Sequence, residues 1–358
     1  MPPTIATADH SRMGAWNWSS LVEEAEQRPT FCAELASRSF AIIAAPDDLR
    51  QKIRDMQEFA EKFFDQPAED RKALGALRLY RHKVVGYREM GEGLSRFLEV
   101  HAIAGGGSVP RVKVPKQLGP VAERLHAELL GMARDVLRWL AAHLGVPSDA
   151  LLQCLDTPSL DNLDEGDCSA SVLRLCSYGR EVEPTVSSTD ASKETETEEV
   201  VFDEHTDASF LTLAAVGSSP GLQMKCASSE DWLHVEEILP AEGGHIVVFI
   251  GDFLEVLTKG SLPAARHRVV RRAEDGTRPR ARRLSMPFLV RGQPEAEINT
   301  AAYIDALSDD SHLLRVEGMK YIEMRRFLDL KGRARFRGKH LLPASAALQG
   351  DSAAQAKS

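Results

Sequence analysis

The chain has 358 residues, of which 43% are hydrophobic and 27% are charged. This balance is that of a globular protein with a sizeable core, and the length allows one large domain or two units of about 100–200 residues each. The formal net charge of -9 argues against a polyanion as the main partner, so nucleic-acid binding is not expected.

Targeting signals and cysteine usage both favour the cytoplasm. The N-terminus has no basic segment that leads into an apolar one, and no run reaches the ~18 apolar residues that a membrane span needs. The five cysteines are scattered and form no C-x-x-C pair, which argues against a disulfide framework or a structural zinc site. We therefore expect a cytoplasmic protein with reduced thiols, a small-molecule substrate, no membrane contact and no obligate protein partner.

Residues 1–160 have a mostly helical pattern. Apolar residues recur every three or four positions over residues 49–63, which predicts one helix with Asp47 or Asp48 as its N-cap. A second long helix is predicted over residues 120–144. The glycine-containing stretch between these helices predicts a hairpin or irregular strands.

From about residue 169 the pattern changes to short apolar strands separated by turn formers. Strands at this spacing are typical of an antiparallel sandwich or barrel, and a jelly-roll is a natural candidate. The sequence thus predicts an α+β fold with a jelly-roll core over residues 161–292, a C-terminal helical extension over 293–343 and a disordered tail over 344–358. The seven predicted strands are SVLRLCSY, SFLTLAAV, GLQMKC, WLHVEEI, HIVVFIG, RHRVVRRA and RRLSMPFLV.

An acidic stretch rich in serine and threonine, residues 180–200, has almost no large apolar side chains. Such a composition predicts a mobile loop, because the segment cannot bury enough apolar surface to become ordered. Two interpretations stay open. The loop is either a surface insertion or a lid over a site beside His205.

Two candidate metal ligands lie two positions apart in the stretch FDEHTDASFLTL. In an extended segment the side chains at i and i+2 point to the same side, so His205 and Asp207 converge on one point. His267, at the start of a later predicted strand, is the candidate for a third ligand. Two histidines and one carboxylate on one face of a metal are the ligand set of non-heme iron(II) enzymes that activate oxygen.

A second version of this ligand set is also present in the sequence. His234 and Glu236 are likewise a histidine and a carboxylate two positions apart in a predicted strand. With His245 or His267 they could form a comparable triad. The spacing alone leaves both sets open.

Arg283 and Ser285 share one face of the last predicted strand. A guanidinium binds a carboxylate through two hydrogen bonds, and a neighbouring hydroxyl can add a third. This pair therefore suits the far carboxylate of a dicarboxylic co-substrate whose other end chelates the metal. Because many arginines precede Arg283 in the same segment, only its spacing from Ser285 distinguishes it from solvated charges.

These motifs resemble those of the 2-oxoglutarate- and iron(II)-dependent dioxygenases, in the branch similar to isopenicillin N synthase. HTDASFLTL matches the family's H-T-D-x-x-x-L-T motif, and GDFLEVLTKGSLPAARHRV resembles its segment that begins G-D-x-L-E and ends H-R-V. RLSMPFLV is similar to the R-x-S-x-x-F element, and LRLCSYGR resembles the family's strand that ends N-Y-Y-P. The resemblance covers residues 37–292.

The resemblance implies both cofactors and site residues. The cofactors are Fe(II), 2-oxoglutarate as co-substrate and O2, with ascorbate as a reductant. The reaction is the oxidation of a small organic molecule, by hydroxylation or desaturation, with release of succinate and CO2. The iron ligands are His205, Asp207 and His267, the C5 carboxylate of 2-oxoglutarate is held by Arg283, Ser285 and Tyr178, and the substrate pocket includes Phe288 and Tyr87.

The chain departs from the family pattern in three places. Cys176 stands where the N-Y-Y element has its asparagine, and an asparagine-histidine-glycine segment near the N-terminus is absent. The connection between His267 and Arg283 is longer than usual, and its Asp275–Gly276 pair predicts a turn at the tip of a longer hairpin. None of these departures affects the proposed ligands.

Two other functions remain possible from the sequence. One is a non-heme iron oxidase of the isopenicillin N synthase type that does not use 2-oxoglutarate, in which Arg283 and Ser285 would bind another small acid. The other is a catalytically silent jelly-roll that serves as a binding protein. Measuring whether oxygen uptake requires 2-oxoglutarate distinguishes the oxidase from the dioxygenase. Metal analysis distinguishes the silent binding protein from both.

Overall fold

The computed structural model of the protein gives a fold for most of the chain. No helix within the described ranges is both long and apolar enough to cross a membrane. The predicted hairpin tip, the tail and residues 180–197 of the predicted acidic loop lie outside these ranges. The structure describes residues 14–74, 78–80, 83–90, 95–102, 119–157, 167–179, 198–225, 231–239, 244–272, 282–304 and 312–336.

Most helices precede the central strands in the chain. The two long helices, α3 and α5, confirm the two long helices predicted from the apolar spacing. In chain order the helices are α1 (Trp18–Glu23), α2 (Arg28–Arg38), α3 (Asp47–Phe64), α4 (Ala68–Leu74), α5 (Gly119–His143), α6 (Asp149–Leu152), α7 (Asp252–Leu257), α8 (Ala301–Ile304) and α9 (Tyr321–Phe336).

The strands are short, as the turn-rich sequence predicts. All seven predicted strands are present, as β6 and as β8 to β13. The sequence did not predict β7 in full. In chain order the strands are β1 (Trp16–Asn17), β2 (Phe40–Ala44), β3 (Arg78–Tyr80), β4 (Lys83–Met90), β5 (Ser95–Val100), β6 (Val172–Tyr178), β7 (Glu198–His205), β8 (Leu211–Ala215), β9 (Leu222–Lys225), β10 (Trp232–His234), β11 (His245–Ile250), β12 (His267–Arg272), β13 (Arg283–Leu289), β14 (Glu297–Ile298) and β15 (Met319–Lys320).

Two sheets form the core of the molecule. The larger has the strand order β1-β2-β11-β8-β13-β6-β5-β4-β3, and the smaller has the order β10-β9-β12-β7. Their inner faces pack together through mixed apolar clusters, such as Phe249 of the larger sheet with Met224 of the smaller one. Two facing antiparallel sheets of this kind are a jelly-roll arrangement, so the predicted α+β fold is confirmed.

The helices cover the outer face of the larger sheet. Helix α3 places Ile53, Met56 and Phe63 at a helical spacing on one buried face, and α5 does the same with Leu129 and Val136. These side chains belong to one large apolar cluster with strands β2, β8 and β11. The burial stiffens the larger sheet and leaves its inner face for the site.

The strands of the N-terminal region continue the sheet of the jelly-roll. Strand β2 pairs with β11, and the hairpin of β4 and β5 joins the sheet edge through the pairing of β5 with β6. The hairpin predicted between the long helices is thereby confirmed. The domain boundary near residue 160 stays a prediction, since the hydrogen-bonded sheet crosses it.

Several local predictions need correction. The N-cap of α3 is Pro46, and the two aspartates predicted as caps lie in the first turn, where their charges favour the helix dipole. Residues 198–200 belong to β7 and not to a loop, because their backbone pairs with β12. Helix α7, which follows β11 directly, was not predicted.

Candidate metal and co-substrate site

The three predicted metal ligands come together between the two strands β7 and β12. His205 ends β7, Asp207 follows it by two residues, and His267 begins β12. The antiparallel register pairs His267 directly with His205, so the two imidazoles lie side by side with ring centroids 4.1 Å apart. Potential ligand atoms of the three side chains all lie within 4.8 Å of one another, a cluster that no other histidines, cysteines or acids form in the described residues.

Hydrogen bonds orient each of these side chains towards the others. Nδ1 of His205 lies 2.8 Å from the carbonyl oxygen of Asp203, and Nδ1 of His267 lies 3.1 Å from that of Ala265. Because a carbonyl oxygen only accepts, Nδ1 carries the hydrogen and Nε2 of each ring keeps its lone pair for a metal. The hydroxyl of Thr212 donates to Oδ2 of Asp207 at 2.7 Å.

The distances between the three groups fit a shared ion. Nε2 of His205 lies 3.8 Å from Oδ1 of Asp207, and Nε2 of His267 lies 4.0 Å from its Oδ2. Both separations are too long for hydrogen bonds. They do not exceed ~4.4 Å, which is twice a metal–ligand bond of ~2.2 Å, whereas the 4.8 Å that bounds the whole cluster does, so the three groups would draw together slightly around an ion.

The protonation states also suit metal binding. Burial and the neighbouring His267 lower the pKa of His205 to about 4, so its ring is neutral near pH 7. Burial raises the pKa of Asp207, but the two histidines and the Thr212 hydroxyl outweigh this effect and hold it below its ordinary value. His205 therefore offers a neutral nitrogen and Asp207 an ionised carboxylate, the forms that bind a divalent metal.

Arg283 begins β13 and forms a buried ion pair that the sequence did not predict. Its Nη2 donates to both carboxylate oxygens of Glu236 at 2.9 Å, and both side chains are only 2% exposed. Glu236 also accepts the backbone N–H groups of Gly217, Gly221 and Leu222 at 2.7–2.9 Å. Burial raises the pKa of Glu236, but the charge of Arg283 and these bonds outweigh that effect and lower it.

The ion pair occupies only one nitrogen of the guanidinium. Nε and Nη1 of Arg283 are buried and have no hydrogen-bond partner among the described residues. Gly217 and Gly221 make room for this side chain, since a Cβ on either would lie within 2.7 Å of a guanidinium nitrogen. Buried donors without acceptors are costly, so this end of the site suits an anionic or strongly polar ligand.

Tyr178 and Ser285 lie beside Arg283 as the strand register dictates. Strands β6 and β13 pair antiparallel, with Arg283 opposite Tyr178 and Ser285 opposite Cys176. The guanidinium carbon of Arg283 lies 5.9 Å from the centre of the Tyr178 ring. Burial and the neighbouring Cys176 raise the pKa of Tyr178 well above its ordinary value, so its hydroxyl keeps the proton and can donate it to an acceptor.

One cavity joins the histidine–aspartate cluster to Arg283. It encloses about 530 Å³ of empty space, including the part open to solvent. Its apolar wall includes Phe97, Phe202, Phe249, Val269 and Leu289, and its polar lining includes His205, Asp207, His267, Arg283, Ser285 and Tyr178.

The structure does not bring the two predicted substrate-pocket residues into this cavity. Phe288 is fully buried on the opposite face of β13 and packs edge-to-face on His126, with ring centroids 4.9 Å apart. Its neighbours Pro287 and Leu289 line the cavity instead. Tyr87 is buried elsewhere, where its hydroxyl accepts from Arg71 and donates to a glutamate at 2.6 Å.

The alternative ligand set is not assembled. Glu236 is engaged by Arg283, and the ring of His234 lies 2.8 Å from Nε2 of Gln223 and 3.5 Å from Glu198. Sequence reasoning placed Glu236 among the possible metal ligands and missed its pairing with Arg283. It also missed Arg174, which lines the cavity. Arg174 lies two residues before Cys176 and four before Tyr178 in one strand, so this spacing could have predicted that all three side chains face the same side.

Comparisons with known proteins agree with this architecture. Residues 170–292 match the 2OG-Fe(II) oxygenase superfamily. The chain is 31% identical over 90 residues to feruloyl CoA ortho-hydroxylase F6H1-1 of Ipomoea batatas, which is 25% of this chain and 22% of that protein. It is 26% identical over 184 residues to isopenicillin N synthase of Streptomyces griseus, which is 51% of this chain and 47% of that protein.

Solved structures share the fold across nearly the whole chain. The full-length Neurospora crassa T7H, in complex with alpha-KG and 5-formyluracil, has a TM-score of 0.66 at 18% identity, over 92% of this chain and 100% of that chain. At this identity the likeness shows the fold alone. The chain spans less than half the length of the feruloyl CoA ortho-hydroxylase and of the isopenicillin N synthase.

The match over residues 170–292 includes strands β6 to β13, and with them the predicted metal ligands and the Arg283, Ser285 and Tyr178 group. This part of the chain therefore resembles the 2OG-Fe(II) oxygenase superfamily in sequence. The match to isopenicillin N synthase agrees with the branch predicted from the motifs.

Proposed function

We propose that the protein is an Fe(II)- and 2-oxoglutarate-dependent dioxygenase that hydroxylates or desaturates a small organic molecule. The observation that carries this proposal is the cavity itself. It holds a converging His205, Asp207 and His267 cluster and, on the same lining, a buried arginine with two nitrogens that have no partner among the residues described. A metal ion and an anionic co-substrate satisfy both features at once.

In this proposal Fe(II) is held by Nε2 of His205, Nε2 of His267 and the carboxylate of Asp207. Two nitrogens and one carboxylate on one side leave the other coordination positions open, as an oxygen-activating iron site requires. The Thr212 hydroxyl and the two backbone carbonyls keep the three ligands aimed at the ion.

Arg283, Ser285 and Tyr178 hold the C5 carboxylate of 2-oxoglutarate. Nη1 of Arg283 supplies a charged donor, and the hydroxyls of Ser285 and Tyr178 supply neutral ones. Glu236 keeps the guanidinium in place through Nη2 and thereby fixes the direction of the free nitrogens. The donors are positioned before the ligand arrives, which reduces the entropy lost on binding.

When bound, Fe(II) with 2-oxoglutarate and O2 supplies an oxidant able to attack an unreactive C–H bond, with release of succinate and CO2. The chain's own contribution is to orient the reactants and exclude water. Phe97, Phe202 and Phe249 form an apolar wall around the cluster, and Phe202 packs on the His205 ring at 4.6 Å. A dry wall protects a reactive site from side reactions.

A second candidate is an iron oxidase that does not use 2-oxoglutarate. Two observations support it, namely the similarity to isopenicillin N synthase and the fact that Glu236 already neutralises Arg283. In that case Ser285 and Arg283 bind a polar group of the substrate itself. A cytoplasmic location and the absence of an obligate protein partner stay predictions from the sequence.

The deciding experiment is a screen of small organic molecules for those that stimulate succinate release from 2-oxoglutarate in the presence of Fe(II) and O2. We expect a stimulating compound, and we expect His205→Ala to abolish the stimulated release. Oxygen consumption that proceeds without 2-oxoglutarate supports the oxidase. Full turnover by His205→Ala excludes both candidates.

A further inference from the structure

The cavity contains a second guanidinium, at some distance from Arg283. Arg174 lies in the middle of β6, on the same face as Cys176 and Tyr178, and all three line the cavity. The spacing from Arg174 to Tyr178 is four residues, or roughly 13 Å along a strand at ~3.3 Å per residue. Arg283 lies opposite Tyr178, so the two arginines occupy different ends of one lining.

Arg174 lines the same cavity as the proposed metal ligands His205 and Asp207. Arg283 lies at the other end of the lining with Tyr178 and Ser285, the three residues proposed to hold 2-oxoglutarate. A ligand held by Arg174 would therefore lie next to the metal cluster and apart from the co-substrate end.

Glu99 is the carboxylate that pairs with Arg174, and two further cations share it. Oε1 of Glu99 lies 2.9 Å from Nη2 of Arg174 and 3.1 Å from Nη2 of Arg88. Arg291, which is 7% exposed, is a third cation near this carboxylate. An anion bound at Arg174 would therefore enter a region in which three guanidinium groups lie around one glutamate.

One nitrogen of Arg174 remains available for a ligand. Nε donates to Oε1 of Glu99 at 3.0 Å and Nη2 lies 2.9 Å from the same oxygen, whereas Nη1 has no hydrogen-bond partner in the described part of the chain. Glu99 thus fixes the guanidinium plane and leaves one charged donor, in the same way that Glu236 fixes Arg283. A partly buried guanidinium of this kind is a preorganised carboxylate site.

The wall between Arg174 and the metal cluster is aromatic. The guanidinium carbon of Arg174 lies 5.6 Å from the centre of the Phe97 ring, Phe202 packs edge-on to Phe97 at 5.8 Å, and Phe202 packs on His205 at 4.6 Å. These contacts form a continuous apolar path from the cation to the metal ligands. A ligand anchored at Arg174 would lay an apolar body along this path, with its carbon atoms beside the cluster.

We infer that Arg174 binds the carboxylate of the primary substrate, and that this substrate is a small organic acid with an apolar, ring-sized body. The inference rests on the proposed function and names the substrate class of the same site. Arg174 is then a specificity-determining residue, since it selects a charged group and sets which carbon of the substrate faces the metal.

The test measures binding to the full chain under anaerobic conditions, with Mn(II) and 2-oxoglutarate present. The probes are four acids, benzoate, phenylacetate, 3-phenylpropionate and cinnamate, each paired with its primary amide. Titration calorimetry should detect binding of at least one acid to the wild-type chain. Its amide should bind wild type about 10- to 100-fold more weakly, and the acid should bind Arg174→Met more weakly by the same factor, as expected for loss of a charge-assisted contact. Equal affinity for acid and amide, or no acid bound at all, overturns the inference.

Two further variants separate recognition from folding. Arg88 also pairs with Glu99 but does not line the cavity, so Arg88→Met is the control for loss of a Glu99 partner. It should weaken binding of the acid by several-fold at most. Arg174→Lys keeps the charge and should recover part of the affinity. If Arg174→Met weakens the binding of 2-oxoglutarate and not that of the acid, the assignment is wrong. Failure of wild type to bind Mn(II) and 2-oxoglutarate refutes the proposed function, whereas their binding without any acid refutes only this inference.

Discussion

The substitution Glu236→Gln should destabilise the protein strongly, although it changes one atom of a side chain far from the surface. Glu236 is 2% exposed on its side chain and accepts hydrogen bonds from Arg283 and from three backbone N–H groups. The amide keeps one acceptor oxygen but replaces the other by a donor that faces donors. It also leaves the guanidinium of Arg283 buried without a counter-charge.

The expected loss follows from the geometry. Breaking a buried ion pair by removing one partner typically costs about 3–5 kcal/mol, which includes the penalty for the partner left unpaired. We expect Glu236→Gln to lower the free energy of unfolding by about 3–5 kcal/mol. The neighbour Glu237, whose side chain is 37% exposed, is a matched control, and Glu237→Gln should change it by no more than about 0.5 kcal/mol.

Urea denaturation of the metal-free protein, followed by tryptophan fluorescence, measures both values. A double-mutant cycle with Arg283→Met tests the cause, because the double variant no longer buries an unpaired charge. The free energy of unfolding of the double variant should be about 2 kcal/mol higher than the value obtained by adding the losses of the two single variants. Additive losses, or a loss below 0.5 kcal/mol for Glu236→Gln, would refute the ion-pair reasoning.

Three other predictions concern single sites. Arg283→Ala should raise the 2-oxoglutarate KM by about 10- to 100-fold, while Arg282→Ala, whose side chain is 25% exposed, should not; equal KM values would contradict the assigned role. Burial lowers the pKa of His126 to about 4, so the unfolded chain takes up the proton first as the pH falls from about 6.5 to 4. The free energy of unfolding should fall by about 3 kcal/mol over this pH range, and this loss should be absent in His126→Gln. Parallel curves of stability against pH for the two proteins would contradict the role of His126. Gly221→Ala should displace Arg283 and the neighbouring strand β12 and so weaken 2-oxoglutarate binding, because its Cβ would lie 2.7 Å from Nε of Arg283 and closer still to the carbonyl oxygen of Val270. Gly131→Ala in α5 meets nothing within 4 Å and should stabilise the protein by about 0.5–1 kcal/mol; similar effects of both substitutions would contradict this packing.

The metal cluster was predictable because a strand has a period of two. His205 and Asp207 lie two residues apart, and the turn-rich sequence between strands indicated a jelly-roll that could return His267 to the same end. The structure brings the three side chains together. The same parity would have excluded Phe288, since Arg283 and Ser285 face the cavity and an even-numbered neighbour on that strand faces away.

The partners of buried charges were not predictable from local pattern. Glu236 and Arg283 are 47 positions apart, and Glu99 and Arg174 are 75 positions apart. Only the sheet register and the loop around Gly217 decide which charges meet. The start of β7 was missed for a related reason: residues 198–200 are polar and acidic, and their strand conformation depends on pairing with β12 rather than on their own propensity.

The most direct test of the central claim is the binding of Fe(II), or of Co(II) as a spectroscopic substitute, to the purified chain without oxygen. We predict one ion per chain in wild type, a Co(II) spectrum that changes on addition of 2-oxoglutarate, and no stoichiometric binding by His267→Ala. Wild-type affinity in His267→Ala, or no binding by the wild-type chain, would contradict the claim that His205, Asp207 and His267 form a metal site.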